Sequence, residues 1–149
     1  MDEMMLRSPC HSEEDIRSGF DWFLNKEDRA YVIVHKETGE VIGNLTVYDK
    51  VPPEVAQQEA VAGKAGKSLS FAMSPAWQRR GLMLEAVRTV IDHLFFQENT
   101  DYIHCGYLSY NVPSKMLQEK LGFQEIFTEH FSLDGREIEV VENVLWKAP

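Results

Sequence analysis

The hydrophobic positions along this chain change period where one element hands over to the next. Leu69, Phe71 and Met73 alternate with Ser68, Ser70 and Ala72, the two-residue period of a half-buried strand. Past a basic, glycine-containing turn, Met83, Ala86, Val87, Val90, Ile91, Leu94 and Phe95 recur at helical spacing, with Glu85, Arg88, Thr89, Asp92 and His93 on the other side. The pattern predicts a strand running into a helix. Upstream, Ser12 followed by Glu13, Glu14 and Asp15 reads as a capped helix start, with Ile16, Phe20, Phe23 and Leu24 as its apolar face and an end near Asn25. Residues 31–35 and 41–48 read as a hairpin about a turn at 37–40.

Residues 49–67 contain Pro52, Pro53, Gly63 and Gly66 and few large apolar side chains. They read as a long surface loop with one helical turn around residues 54–61. Downstream, residues 102–109 are apolar and aromatic enough for a strand, and 112–120 form a helix opened by Pro113 and stopped by Gly122. Residues 123–133 and 137–146 are two strands joined at Asp134-Gly135, a strong two-residue hairpin signal. This order gives an α+β fold: a mixed sheet with helices packed on it, in one domain over residues 1–149.

Composition narrows the class. A chain of 149 residues with 44% hydrophobic and 26% charged residues is that of a soluble globular domain with a real core. No apolar run is long enough to span a bilayer, and Met1-Asp2-Glu3 does not open a signal peptide, so the expectation is a cytoplasmic protein. Two cysteines, Cys10 and Cys105, give neither a disulfide framework nor metal-ligand spacing. A net charge of −9 argues against general nucleic-acid binding and suits a cationic partner such as an amine.

The strand-to-helix turn carries chemistry of its own. The first N–H groups of a helix have no partner and favour anions, Gly81 admits close approach, and Arg79 and Arg80 add charge. An ordinary basic turn accounts for the same residues equally well. Gly63-Lys64-Ala65-Gly66-Lys67-Ser68 superficially resembles a P-loop, but Val61 stands where the first glycine belongs and a strand, not a helix, follows. The five histidines show no metal-ligand pairing, which leaves no metal site, and no nucleophile motif supports a hydrolase. His104 is a candidate base or proton relay, against the commoner reading of a satisfied core histidine. Asn111 and Ser114, between a strand and a helix, read equally as a cap and a first-turn residue.

Together the phrases Asn111-Val112-Pro113-Ser114 and Glu119-Lys120-Leu121-Gly122-Phe123 resemble the signature of the GNAT superfamily of acetyl-CoA-dependent N-acetyltransferases. The spelling is closest to the branch that acetylates the amino termini of ribosomal proteins. Gln78-Arg79-Arg80-Gly81-Leu82-Met83 is similar to that superfamily's acetyl-CoA motif, and the hairpin containing Glu37 to Gly43 to its second and third strands. The resemblance implies a central, mostly antiparallel sheet with splayed middle strands and helices on both faces. It implies direct transfer from acetyl-CoA to a primary amine, a protein amino terminus or a small molecule, without a metal. The N–H groups of Arg79, Arg80, Gly81, Leu82, Met83 and Leu84 would hold the pyrophosphate beside Gln78, and Phe71, Ala72 and Met73 would pair with the pantetheine arm. An N–H near Met73 or Ser74 would steady the oxyanion, and Asn111 and Ser114 would contact the cofactor near its sulfur, with Ser114 returning a proton to the thiolate.

The chain departs from the family pattern in ways that matter. Met83 replaces a glycine or alanine. Gln118 stands where many members have a tyrosine acid, and Ser68 where this branch often has a glutamate, leaving the base open among water, His104, Tyr107 and a carboxylate from the long loop. These losses keep a second reading alive, a non-catalytic acetyl-CoA-binding or sensing module. The short amino terminus predicts that the first strand is missing or replaced, with a homodimer partner as a candidate cover for the exposed edge.

Overall fold

Strand pairing follows the alternation closely. In the computed structural model, which describes residues 29–148, β1 (Arg29–Val34) and β2 (Val41–Tyr48) form the first hairpin, closed by His35 N–H to Glu40 O at 2.9 Å. The helix expected over residues 12–25 and the missing first strand lie outside the described residues. Next come α1 (Pro53–Ala56), β3 (Gly66–Met73), α2 (Leu82–Gln97), β4 (Tyr102–Leu108), α3 (Val112–Leu121), β5 (Gln124–Leu133) and β6 (Arg136–Trp146). Gly122, at φ 94°, ends α3 in a Schellman turn: Phe123 N–H donates to Gln118 O at 3.0 Å and Gly122 N–H to Glu119 O at 3.1 Å. Asp134 and Gly135 both have positive φ, as a type I′ turn requires.

The six strands lie in the order β1-β2-β3-β4-β6-β5, and every neighbouring pair is antiparallel except β3 and β4. Those two are parallel over only three rungs, Gly66–Tyr102, Lys67–Ile103 and Ser68–His104, and then part. This is the splay that the family resemblance implies.

One face of the sheet carries the main core. Met83, Val87, Ile91, Leu94 and Phe95 of α2 pack on Leu45, Val47, Leu69, Met73, Ile103 and Cys105, with Leu117 and Leu121 of α3 beside them. Each buried side chain of this kind contributes roughly 2 kcal/mol, so packing rather than helix propensity holds α2 in place. On the second face Val61 packs with Tyr102 and Val144. The 49–67 segment is therefore partly a cover: Val55 and Val61 are each only 1% exposed.

The P-loop look-alike has structural duties instead. Gly66 lies under the Tyr102 ring, where any Cβ would collide. Lys67 Nζ sits 3.0 Å from Asp49 Oδ1 and 3.9 Å from Glu98 Oε1, in a cluster where Arg29 bonds both carboxylates. That cluster ties the end of α2 to β1, β3 and the residue after β2.

Candidate active site

Beyond the Ser68–His104 rung, the facing edges of β3 and β4 no longer bond each other. Ser74 N–H donates to Ile42 O at 2.8 Å, which fixes the alternation along β3. Ser70 and Ala72 therefore bond to β2, whereas Phe71 and Met73 direct their N–H and C=O groups into the gap. The Met73 carbonyl accepts there from the Gln78 side-chain amide at 3.0 Å. Ser74 N–H is thus committed to β2, which leaves Met73 as the gap-facing one of the two amides expected to meet an oxyanion.

A cleft of about 700 Å³ opens at this gap, within the size range of small-molecule sites. It is lined by Phe71, Ala72 and Met73 from β3, Gln78, Arg79 and Gly81 from the turn, Leu82, Met83 and Leu84 from α2, and residues including Asn111, Ser114, Met116 and Lys120 from the α3 end. The sequence-derived set therefore gathers in one place, apart from Arg80. The Arg80 guanidinium lies 4.9 Å from the Trp77 ring, whose other close neighbour is the His35 ring at 4.5 Å. Stacked there, the Arg80 side chain lies against Trp77 and does not line the cleft.

The turn itself is strained toward the cleft. Arg79 (φ 65°) and Gly81 (φ 76°) both lie in the left-handed region, an alternation that aims successive N–H groups to one side. α2 then begins without a side-chain cap, and its first internal bond runs from Glu85 N–H to Gly81 O at 3.1 Å. The N–H groups of Gly81, Leu82, Met83 and Leu84 precede that bond, and all four residues line the cleft, an arrangement whose physics favours an anion. Met83 keeps its N–H in this row while its side chain, 9% exposed, joins the core. Replacement of the usual small residue is thereby accommodated.

At the other wall, Asn111 caps α3: its Oδ1 accepts from Ser114 N–H at 3.2 Å. Gln118 is fully buried. Its Nε2 donates to Gly106 O at 3.3 Å and to Ser114 Oγ at 3.1 Å, while its Oε1 accepts from Asn143 Nδ2 at 2.9 Å. Because the amide nitrogen cannot accept, Ser114 Oγ is the acceptor in that pair and its own proton is available to the cleft.

On the second face, His104 is buried between Ser68 Oγ, 2.8 Å from Nδ1, and the Glu142 carboxylate at Nε2. Tyr107 lies on the opposite face of β4, where burial first, then Glu125 and Glu119, push its hydroxyl above the ordinary value. Among the described residues, no three histidine, cysteine, aspartate or glutamate side chains stand where they could hold a metal ion, and no helix is long and apolar enough to cross a membrane.

The acetyltransferase (GNAT) domain family matches residues 2–124 of the sequence. The chain belongs to the GNAT acetyltransferase family. Solved structures agree with this GNAT fold at low identity. A GNAT-family acetyltransferase from Bacillus anthracis superposes with a TM-score of 0.79 at 12% identity, covering 98% of this chain and 81% of that one. Ribosomal-protein-S5-alanine acetyltransferase from Vibrio fischeri gives 0.70 at 16%, over 94% and 78%. Spermidine N-acetyltransferase from Vibrio cholerae, in complex with CoA and spermine, gives 0.73 at 16%, over 98% and 82%. No curated protein matches the chain. The ribosomal-protein enzyme is thus one of several kinds of GNAT structure this chain resembles, and the branch suggested by its spelling is not singled out.

Two residues escaped sequence reading, one in the lining of the cleft and one beside His104. Lys120 lines the cleft one turn past Met116, a position that reads as an ordinary basic helix end. Glu142 sits among alternating strand residues, and only the β4–β6 register brings it to His104.

Proposed function

We propose that the protein transfers the acetyl group of acetyl-CoA directly to a primary amine, either a protein amino terminus or a small amine. The observation that carries this reading is the uncapped start of α2, with four N–H groups and two left-handed residues opening onto one cleft. In this reading residues 79–84 hold the pyrophosphate, and the gap-facing edge of Phe71 and Met73 pairs with the pantetheine arm. The Phe71 or Met73 N–H then steadies the oxyanion, Asn111 and Ser114 lie near the sulfur, and the Ser114 proton goes to the departing thiolate. Most of the acceleration comes from holding amine and thioester together.

Acetyl-CoA is expected to bind in the micromolar range. A Cβ at Gly81 would meet nothing within 4 Å among the described residues, but at φ 76° any side chain strains the turn, so Gly81→Glu both distorts the cradle and sets a carboxylate beside it. Calorimetric titration should show affinity falling by about 100-fold or more, the scale of a like charge placed near a bound anion. Unaltered binding in that variant refutes the cradle. Free-thiol release with spermidine and with a peptide beginning in alanine tests transfer itself. The second reading, an acetyl-CoA sensor, is motivated by Gln118 in place of a tyrosine; binding without thiol release would decide for it.

A further inference from the structure

Where β3 and β4 part, polar side chains on the second face form a connected line. Ser68 and His104 are the last rung of the parallel ladder. Ser68 Oγ lies 2.8 Å from His104 Nδ1, His104 Nε2 meets Glu142 Oε2, and the three residues are 5, 7 and 6% exposed. Glu142 stands opposite Gly106 and reaches His104 by lying across it; a Cβ on Gly106 would come within 2.9 Å of the carboxylate. In the neutral ring that a base requires, Nε2 carries the proton toward the Glu142 carboxylate and Nδ1 accepts from the Ser68 hydroxyl. Ser68 Oγ keeps capacity to accept from one more donor. On the same face Tyr48 bonds Ser70 Oγ at 3.1 Å, and Thr46 Oγ1, on a side chain 1% exposed, has no hydrogen-bond partner among the described residues.

Stability alone does not account for this line, because a buried carboxylate and the polar groups bonded to it are often matched or bettered by apolar side chains of the same volume. Its position suggests another use. Read as above, the pantetheine arm would run from the α2 start along Met73 and Phe71 toward the Ser68–His104 rung, whose side chains lie past the residues that line the cleft.

Resting on that acetyl-transfer reading, we infer that Ser68, His104 and Glu142 form the proton-accepting relay for the acceptor amine. As the amine nitrogen bonds to the thioester carbon, its proton passes to Ser68 Oγ while the Ser68 hydroxyl proton passes to His104 Nδ1. Glu142 stabilises the imidazolium formed. The C–S bond then breaks, sulfur takes the Ser114 proton, and Ser114 regains one from solvent as His104 returns its own through Ser68. Ser68 is the catalytic residue here; His104 and Glu142 act through it. The titratable groups around His104 among the described residues are Glu142 on β6, Glu129 on β5 beside them both, and Tyr102 two residues earlier on β4, with Glu54 of α1 near Glu129 and Tyr48 of β2 beyond Ser68.

The test measures kcat/KM against pH with spermidine or the alanine peptide, whichever releases thiol faster. Ser68→Ala and His104→Gln should each lower kcat/KM by about 100-fold and strip from its acid limb the ionisation beyond that of the acceptor amine itself, and Glu142→Gln should lower it by about 10-fold. Acetyl-CoA affinity by calorimetry should be unchanged, and Ser68→Thr should keep most of the rate. Wild-type rates with an unaltered acid limb in Ser68→Ala and His104→Gln overturn the relay and leave transfer standing. Lost rate with lost acetyl-CoA affinity, or with an unmoved pH profile, also overturns it by assigning these residues to the scaffold. If the wild-type protein binds acetyl-CoA but releases no thiol with either acceptor, the transfer reading fails and the relay with it.

Discussion

Replacing Gln118 with leucine measures what the amide network behind Ser114 contributes. Leucine has about the same volume and restores none of the three hydrogen bonds. Their losses are unequal. Ser114 lines the cleft, so water replaces the donor it loses, at a cost near zero. The Gly106 bond is long at 3.3 Å, and its loss costs roughly 0.5 kcal/mol. Asn143 is only 5% exposed, and an amide stranded there costs about 1–3 kcal/mol. Extra apolar burial returns somewhat less than about 1 kcal/mol. The net is about 2 kcal/mol, a sizeable part of an ordinary stability of roughly 5–15 kcal/mol, and lowers Tm by about 4–8 °C. Urea denaturation with an unchanged m-value reads it directly. In Gln118→Leu/Asn143→Leu both partners are gone, so the double variant should be about 1–2 kcal/mol better than the sum of the singles. A single variant within about 0.5 kcal/mol of wild type, or strict additivity, refutes the reasoning.

Two further outcomes follow from the charges. Lys67 first, through its hydrogen bond, holds the Asp49 carboxyl below the usual range, and Arg29 in the same way holds that of Glu98. A carboxyl with a depressed folded value stabilises fully above its unfolded value, about 4, and loses that contribution as pH falls through the lower folded value. Arg29→Met should therefore cost at most about 1 kcal/mol near neutrality, since the groups are partly exposed, and almost nothing near pH 2. Equal costs at both ends, by denaturant titration, would contradict this account. Burial pushes the Cys105 thiol up to about 12, so at pH 8 it is protonated and inert. Residue-resolved mass spectrometry should find iodoacetamide on Cys105 only after denaturation, and rapid labelling of the native protein would be the contrary result.

Elements governed by local rules were legible in the sequence. The two-residue period gave both hairpins and β3, helical spacing gave α2, and Asp134-Gly135 and Gly122 marked their turn and helix end to within a residue or two. The cleft residues were legible because strand, turn and helix are contiguous there, so their order along the chain is their order in space. What depends on register was not. Nothing in the alternation of β3 or β4 says that pairing stops after Ser68 and His104, and Glu142 reaches His104 only because β6 pairs with β4 in one particular alignment. The 49–67 segment read as surface because its apolar residues are few, yet Val55 and Val61 are buried where the fold needs a cover. Gln118 read as a missing tyrosine, whereas its three bonds make it the strut beneath Ser114.

The three-rung seam between β3 and β4 also sets how the molecule coheres. Strands β1, β2 and β3 form one leaf and β4, β6 and β5 another, and beyond that seam the leaves are joined chiefly by the core beneath α2 and α3. The sheet's weakest internal boundary thus coincides with the cleft. A ligand laid along the free edge of β3 contributes to cohesion as a seventh strand would, so occupancy and folding are thermodynamically linked. At a ligand concentration 100 times Kd that linkage amounts to about 2.7 kcal/mol of added stability.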